Sequence, residues 1–198
     1  MKSITFVSLF LLTAYFLTGC TAAVVGGAAV GTSVALDKRT TGNFVEDQNI
    51  KAKFTHLYYQ DKVLSKQTHV NVTSYNLQVL ITGEVPLEQQ KQKLSDIANQ
   101  IKNVRYHYNE VIVGQPTSFS SRSNDSYLTS KIKTAVFTNI KELDGAQVKV
   151  VTENGSVFLM GLVSRKQGDQ ITEIARTTRG VKRVIKLFEY PKPDDKRI

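Results

Sequence analysis

The chain has 198 residues but only one cysteine and three histidines. One cysteine excludes an internal disulfide framework and leaves a free thiol, an intermolecular disulfide or a modified residue. His56, His69 and His107 stand at no metal-ligand spacing with one another, with the cysteine or with a carboxylate, so no metal site is expected. "GGAAVG" at Gly26–Gly31 lacks the lysine and strand context of a phosphate-binding loop. Ser74 has no base near it in sequence and reads as a turn residue. With no catalytic constellation and no cofactor motif, the chain is expected not to be an enzyme. Long apolar runs are scarce as well. One stands at the N-terminus, "ITFVSLFLLTAYFL" (Ile4–Leu17).

That run follows Lys2 and is followed by Gly19, which is signal-peptide anatomy over residues 1–19. It is shorter than the roughly 20 residues a bilayer core needs. It closes on "LTGC" (Leu17–Cys20), which resembles the bacterial lipoprotein box, Leu-x-Gly-Cys. The resemblance implies that Cys20 receives a diacylglyceryl group, becomes the first residue of the mature chain and is acylated on its new amino group. Two or more acyl chains anchor stably where one binds marginally. Thr21 is not the aspartate that retains such proteins in the inner membrane, so the implied destination is the outer membrane, facing the periplasm.

Without residues 1–19 the chain keeps 25 basic and 17 acidic residues. Residues 20–46 are rich in Gly, Ala, Ser and Thr and read as a lipidated flexible tether. "GQPTSFSSRSN" (Gly114–Asn124) has linker composition. Between and beyond these lie two segments of similar length, and they repeat. A shift of 78 positions superposes Asp47 on Asp125, Ile50 on Leu128, Val70 on Val148, Asn76 on Asn154, Val79 on Val157 and Gly83 on Gly161. One gap then aligns "IANQIKNV" (Ile97–Val104) with "IARTTRGV" (Ile174–Val181).

In the second repeat Asp125 is placed to cap a helix carrying Leu128, Ile132, Ala135 and Val136 on one stripe. Asn154-Gly155 between two β-rich runs predicts a hairpin. "SRKQ" (Ser164–Gln167) offers a capping box for a second helix with Ile171, Ile174 and Ala175. Gly180, and Asn103 in repeat one, fit the left-handed position that ends a helix. "VKRVIKLFEY" (Val181–Tyr190) closes the unit as a strand. The fold class is α+β: each repeat runs helix, strand, strand, helix, strand, with two helices on a small mixed three-stranded sheet.

Glycine at the hairpin's end (Gly83, Gly161), "IA" near the end of a helix and "GVKRV" into the last strand together resemble the BON domain. The first repeat departs from that pattern with "NVRYHY" (Asn103–Tyr108). On this reading residues 47–113 and 125–190 are two BON domains, 114–124 a linker and 191–198 a tail. Lipobox, tether and paired repeats resemble dual-BON lipoproteins of Gram-negative outer membranes. That implies a non-enzymatic protein that binds anionic phospholipid, supports outer-membrane integrity and gathers at the division site.

The first repeat carries eight basic and six acidic residues, the second eleven and seven. In the periplasm this favours anionic lipid headgroups or acidic envelope polymers over nucleic acid. Taken with the resemblance, the expected partner is an anionic, phosphatidylglycerol-like phospholipid. At about 100° per residue, Phe137 points away from the Leu128 stripe. Tyr127, Ser130, Lys133 and Thr134 share its side and Lys131 flanks it, as on an interfacial helix. The same projection in repeat one gives Asn49, Ala52, Thr55, His56 and Tyr59, with no lysine matching Lys133. The alternative is that Phe137 packs against the first domain or its own hairpin. A second functional reading is an adaptor for an envelope protein, with Tyr75, Tyr106 and Tyr108 as interface aromatics.

Cys20→Ala is expected to abolish lipidation, leaving an uncleaved precursor in the inner membrane or releasing the chain from the outer membrane. Fractionation with mass spectrometry checks it, and an unmodified Cys20 in mature wild-type protein contradicts it.

Overall fold

The computed structural model describes residues 39–141, 143 and 147–191. The signal peptide, Cys20, the greater part of the tether and nearly all of the tail lie outside the described residues. Helix α1 (Thr41–Gln60) is followed by the short α2 (Lys62–Gln67), strands β1 (His69–Tyr75) and β2 (Gln78–Val85), α3 (Glu88–Gln100), and strands β3 (Tyr106–Asn109) and β4 (Ile112–Val113). The second repeat comprises α4 (Phe119–Asn139), β5 (Val148–Glu153), β6 (Ser156–Leu162), α5 (Arg165–Thr177) and β7 (Arg183–Glu189). In each repeat the hairpin is antiparallel and the last strand joins its second strand in parallel. "NVRYHY" does pair: β3 and β4 both run along β2, interrupted only at Glu110 and Val111. The α+β class and the two small mixed sheets are as the spacing predicts, except that β4 adds a fourth strand to the first sheet where three were expected.

Three boundaries differ. Helix α1 starts at Thr41, inside the expected tether, because the Thr40 hydroxyl accepts the Asn43 N–H at 3.1 Å. Helix α4 starts at Phe119, inside the expected linker, capped by Ser118 through the Ser121 N–H at 3.2 Å. The additional helix α2 starts on Asp61, whose carboxylate takes the Val63 and Leu64 N–H groups.

Asp125 is therefore not a helix cap. It lies in the second turn of α4, buried, and reaches across to the hairpin, where it accepts the N–H groups of Asn154 and Gly155, both at 2.8 Å. Asp47 does the same in repeat one, taking the N–H groups of Asn76 at 2.7 Å and Leu77 at 2.8 Å, the Ser74 hydroxyl and the Arg39 guanidinium. The two central residues of each turn have positive φ, 51° and 65° for Asn76 and Leu77, 48° and 74° for Asn154 and Gly155. Such a turn leaves two N–H groups outside the ladder, and burial requires that each find an acceptor. One carboxylate serves both and locks helix to hairpin. Gly83 and Gly161 recur because a Cβ would stand 1.9 Å from the His69 carbonyl oxygen in one repeat and 2.6 Å from that of Gln147 in the other.

Strand alternation divides the apolar side chains between two faces. Val79 and Ile81 of β2 join Ile50, Phe54, Leu94 and Ala98 beneath the helices of repeat one. Val157 and Leu159 of β6 join Ile132, Val136, Ile171 and Ala175 beneath those of repeat two. The opposite faces meet each other: Tyr75 and Leu80 from the first sheet pack with Phe158, Met160, Leu162 and Leu187 from the second. The repeats are thus joined sheet to sheet as well as by the chain between them. At the rim of this contact the Tyr75 hydroxyl donates to the Gln147 carbonyl at 2.9 Å. Asn76 and Arg105 both hold Glu189.

Asp125→Ala removes two charge-assisted bonds, one buried and one part-buried, each about 1.5–3 kcal/mol. Chemical denaturation of the variant is expected to show a loss of roughly 3 kcal/mol or more. Ser118→Ala removes one N-cap, about 1 kcal/mol. Equal losses for the two variants contradict the assignment of cap and clamp.

Candidate functional site

The rotation of α4 is set from inside. Asp125, Leu128, Ile132 and Val136 are buried, which turns the other side of the helix outward. Tyr127 is 62% exposed and Phe137 37% exposed. Ser130, Lys131 and Thr134 are exposed and Lys133 is half-buried. At about 100° per residue Tyr127, Ser130, Thr134 and Phe137 lie opposite the core stripe, with Lys131 and Lys133 along its two edges. Ala135, expected in the stripe, is half-buried at its margin. The expected residues thus come together on one outward surface.

The early start of α4 enlarges that surface. Phe119 is 78% exposed and projects on the same side as Phe137, five turns away along the axis. Phe119, Tyr127 and Phe137 form one aromatic rank spanning roughly 27 Å at 1.5 Å per residue. Phe119 was hidden by the polar composition of the segment around it. The capping serine ahead of it was the available signal.

Of the three tyrosines read as interface aromatics, Tyr75 and Tyr108 pack into the sheet-to-sheet contact. Tyr106 remains 61% exposed beside the Arg105 guanidinium.

The fold also assembles what the histidine spacing did not predict. His69 on β1, Glu84 on β2 and Glu153 on β5 each offer a ligand atom within 4.8 Å of the others. The His69 Nδ1 is 3.2 Å from Glu84 Oε2 and 3.8 Å from Glu153 Oε1. Burial pushes the Glu153 carboxyl above its usual range. A bond from Asn71, the His69 charge and a bond from Thr82 oppose the rise, and the neighbouring Glu84 adds to it. Sequence spacing missed the cluster because one member belongs to the other repeat.

Two helix–hairpin–helix–strand units docked through their sheets, with helices outside, define a paired α+β repeat protein. The BON domain profile matches residues 46–115 and 124–192, and the chain belongs to the BON domain family. Over 175 residues it is 39% identical to the Haemophilus influenzae protein named outer membrane lipoprotein DolP, covering 88% of this chain and 90% of that one. It is 34% identical over 155 residues to the 21 kDa hemolysin of Actinobacillus pleuropneumoniae, covering 78% and 79%. Among solved structures, the C-terminal domain of CdsD, a structural protein of the Chlamydia trachomatis type III secretion system, is 15% identical at a TM-score of 0.26. That match covers 72% of this chain and 96% of the other, and it is too loose to transfer a function.

The folded Glu153 carboxyl binds its proton more tightly than the unfolded one. Its contribution to stability is therefore complete below the unfolded value near 4.5 and is lost as pH rises through the folded value. In chelator-treated protein Glu153→Gln is expected to raise the melting temperature at neutral pH, with the gain vanishing in acid. A Gln variant less stable than wild type at neutral pH contradicts it.

Proposed function

We propose that the chain is a non-enzymatic outer-membrane lipoprotein, anchored through acylated Cys20, whose paired BON body binds anionic phospholipid through the outer face of α4. The lipid is of the phosphatidylglycerol class, and the body faces the periplasm. There it supports outer-membrane integrity, including at the division site. The observation that carries this reading is the rank of Phe119, Tyr127 and Phe137 on the side of α4 turned away from the core, with Lys131 and Lys133 at its edges. Aromatic rings enter the interface between headgroups and acyl chains while lysines meet the anionic charge. The lipoprotein box and the kinship with a protein named outer membrane lipoprotein support the anchor and the compartment in this reading. Among the described residues no helix is long and apolar enough to cross a membrane.

The faces of the two sheets are already spent on each other, which removes them as docking surfaces. The matching face of α1 carries Tyr59, 57% exposed, without the aromatic rank of α4. Lipid contact is therefore assigned to the second repeat.

Binding to phosphatidylglycerol vesicles, measured in parallel with thermal melting, tests the assignment. Each ring is worth roughly 1.5–3 kcal/mol when fully buried in lipid, and each lysine about 1 kcal/mol. Phe137→Glu and Phe119→Glu are expected to weaken binding by an order of magnitude or more with melting near wild type. Lys131→Ala costs a few-fold, and high salt erases that difference while sparing the aromatic one. Ile132→Glu, on the buried side, unfolds the domain. If Phe137→Glu stays folded and binds normally, the lipid face lies elsewhere; if it melts like Ile132→Glu, the ring belongs to the core.

A further inference from the structure

We propose that His69, Glu84 and Glu153 form a divalent-cation site of the zinc class that bridges the two BON repeats. Two of its ligands come from the first sheet and the third from the second, so the site exists only in the docked arrangement. Its ligand types are imidazole nitrogen and carboxylate oxygen, which suit Zn²⁺. Ligand atoms at zinc distances in a tetrahedron stand roughly 3.3 Å apart. The separations of 3.2 and 3.8 Å from the His69 Nδ1 bracket that value, and all three ligand atoms lie within 4.8 Å of one another, within reach of one ion after side-chain adjustment.

A second observation points the same way. Glu84 is 2% exposed and its Oε1 is buried with no hydrogen-bond partner. A buried carboxylate oxygen left unpaired costs the full desolvation of that atom, so such oxygens are normally bonded or bound to metal.

The surroundings hold the ligands in place and admit an ion. Asn71 donates to Glu153 Oε2 at 2.9 Å, which orients that carboxylate from the neighbouring sheet. The Thr117 N–H donates to Glu84 Oε2 at 3.3 Å. His69 and Glu153 line a cavity of about 580 Å³ between the repeats, shared with Asn71, Thr73, Ser126 and Thr129. It gives an entry path and room for the water that completes a three-ligand shell. Bound zinc would tie β1 and β2 to β5 and stiffen the contact between the sheets.

The test uses the lipidated full chain in detergent, stripped with a chelator and titrated with Zn²⁺ alone by calorimetry and thermal melting. One equivalent is expected to bind saturably and raise the melting temperature, with no response to equimolar Mg²⁺. Glu84→Gln and Glu153→Gln, checked for native circular dichroism, are each expected to weaken zinc affinity more than tenfold. His56→Ala and His107→Ala leave zinc binding unchanged. Absence of saturable zinc binding, affinity unchanged in both Gln variants, or melting that responds to pH and not to zinc each overturns the site.

Discussion

The contact between the two sheets is the constraint on which the other features rest. A small three-stranded sheet covered by helices on one side has a second side to bury. Here each repeat covers the other: Leu80 and Tyr75 of one meet Phe158, Met160, Leu162 and Leu187 of the other. As a result every residue of β2 and β6 is buried. The same contact determines which surfaces remain for function. Sheets face inward, helices face outward, and among the helices α4 exposes the most aromatic side chains.

The contact also explains why the repeats have diverged where they have. Their helix-side cores stay interchangeable, with Val79, Ile81, Val157 and Leu159 at equivalent positions. Their sheet-side residues are complementary, not alike. Leu80 aligns with Phe158, and Tyr75 hydrogen-bonds to the Gln147 carbonyl, which opens the second sheet. The acidic residues Glu84 and Glu153 approach each other only because this face is shared, and His69 stands between them.

Much of this was legible in the chain. Asn154-Gly155 announced its hairpin, Ser164 and Gln167 their capping box, and Asn103 and Gly180 their left-handed helix ends. The outward side of α4 followed from the spacing of Leu128, Ile132 and Val136. Asp47 and Asp125 stood out in the repeat, yet their task did not. A helix-cap residue and a buried clamp on a distant turn look alike in sequence, and only the fold brings a turn some thirty residues away to the carboxylate. Leu77 holds φ of 65° without being glycine because that clamp holds it there. The docking of the sheets also has a signal in the chain: "VLI" (Val79–Ile81) and "VFLMGLV" (Val157–Val163) are continuous apolar runs, the mark of strands buried on both faces. Phe119 sits in a polar stretch where the capping Ser118 is its one signal, and the His69 cluster left no local pattern, since it is assembled from both repeats.

The molecule has two kinds of surface: sheets that hold the repeats together, and the outward face of α4, for which lipid contact is proposed. Hydrogen exchange of the lipidated full chain, with and without phosphatidylglycerol vesicles, tests both at once. The account predicts slow exchange throughout β2 and β6 in either condition and new protection confined to Phe119–Asn139 when vesicles are present. New protection centred on α1 or α5, or faster exchange in β6 on vesicles as the sheets part, would contradict it.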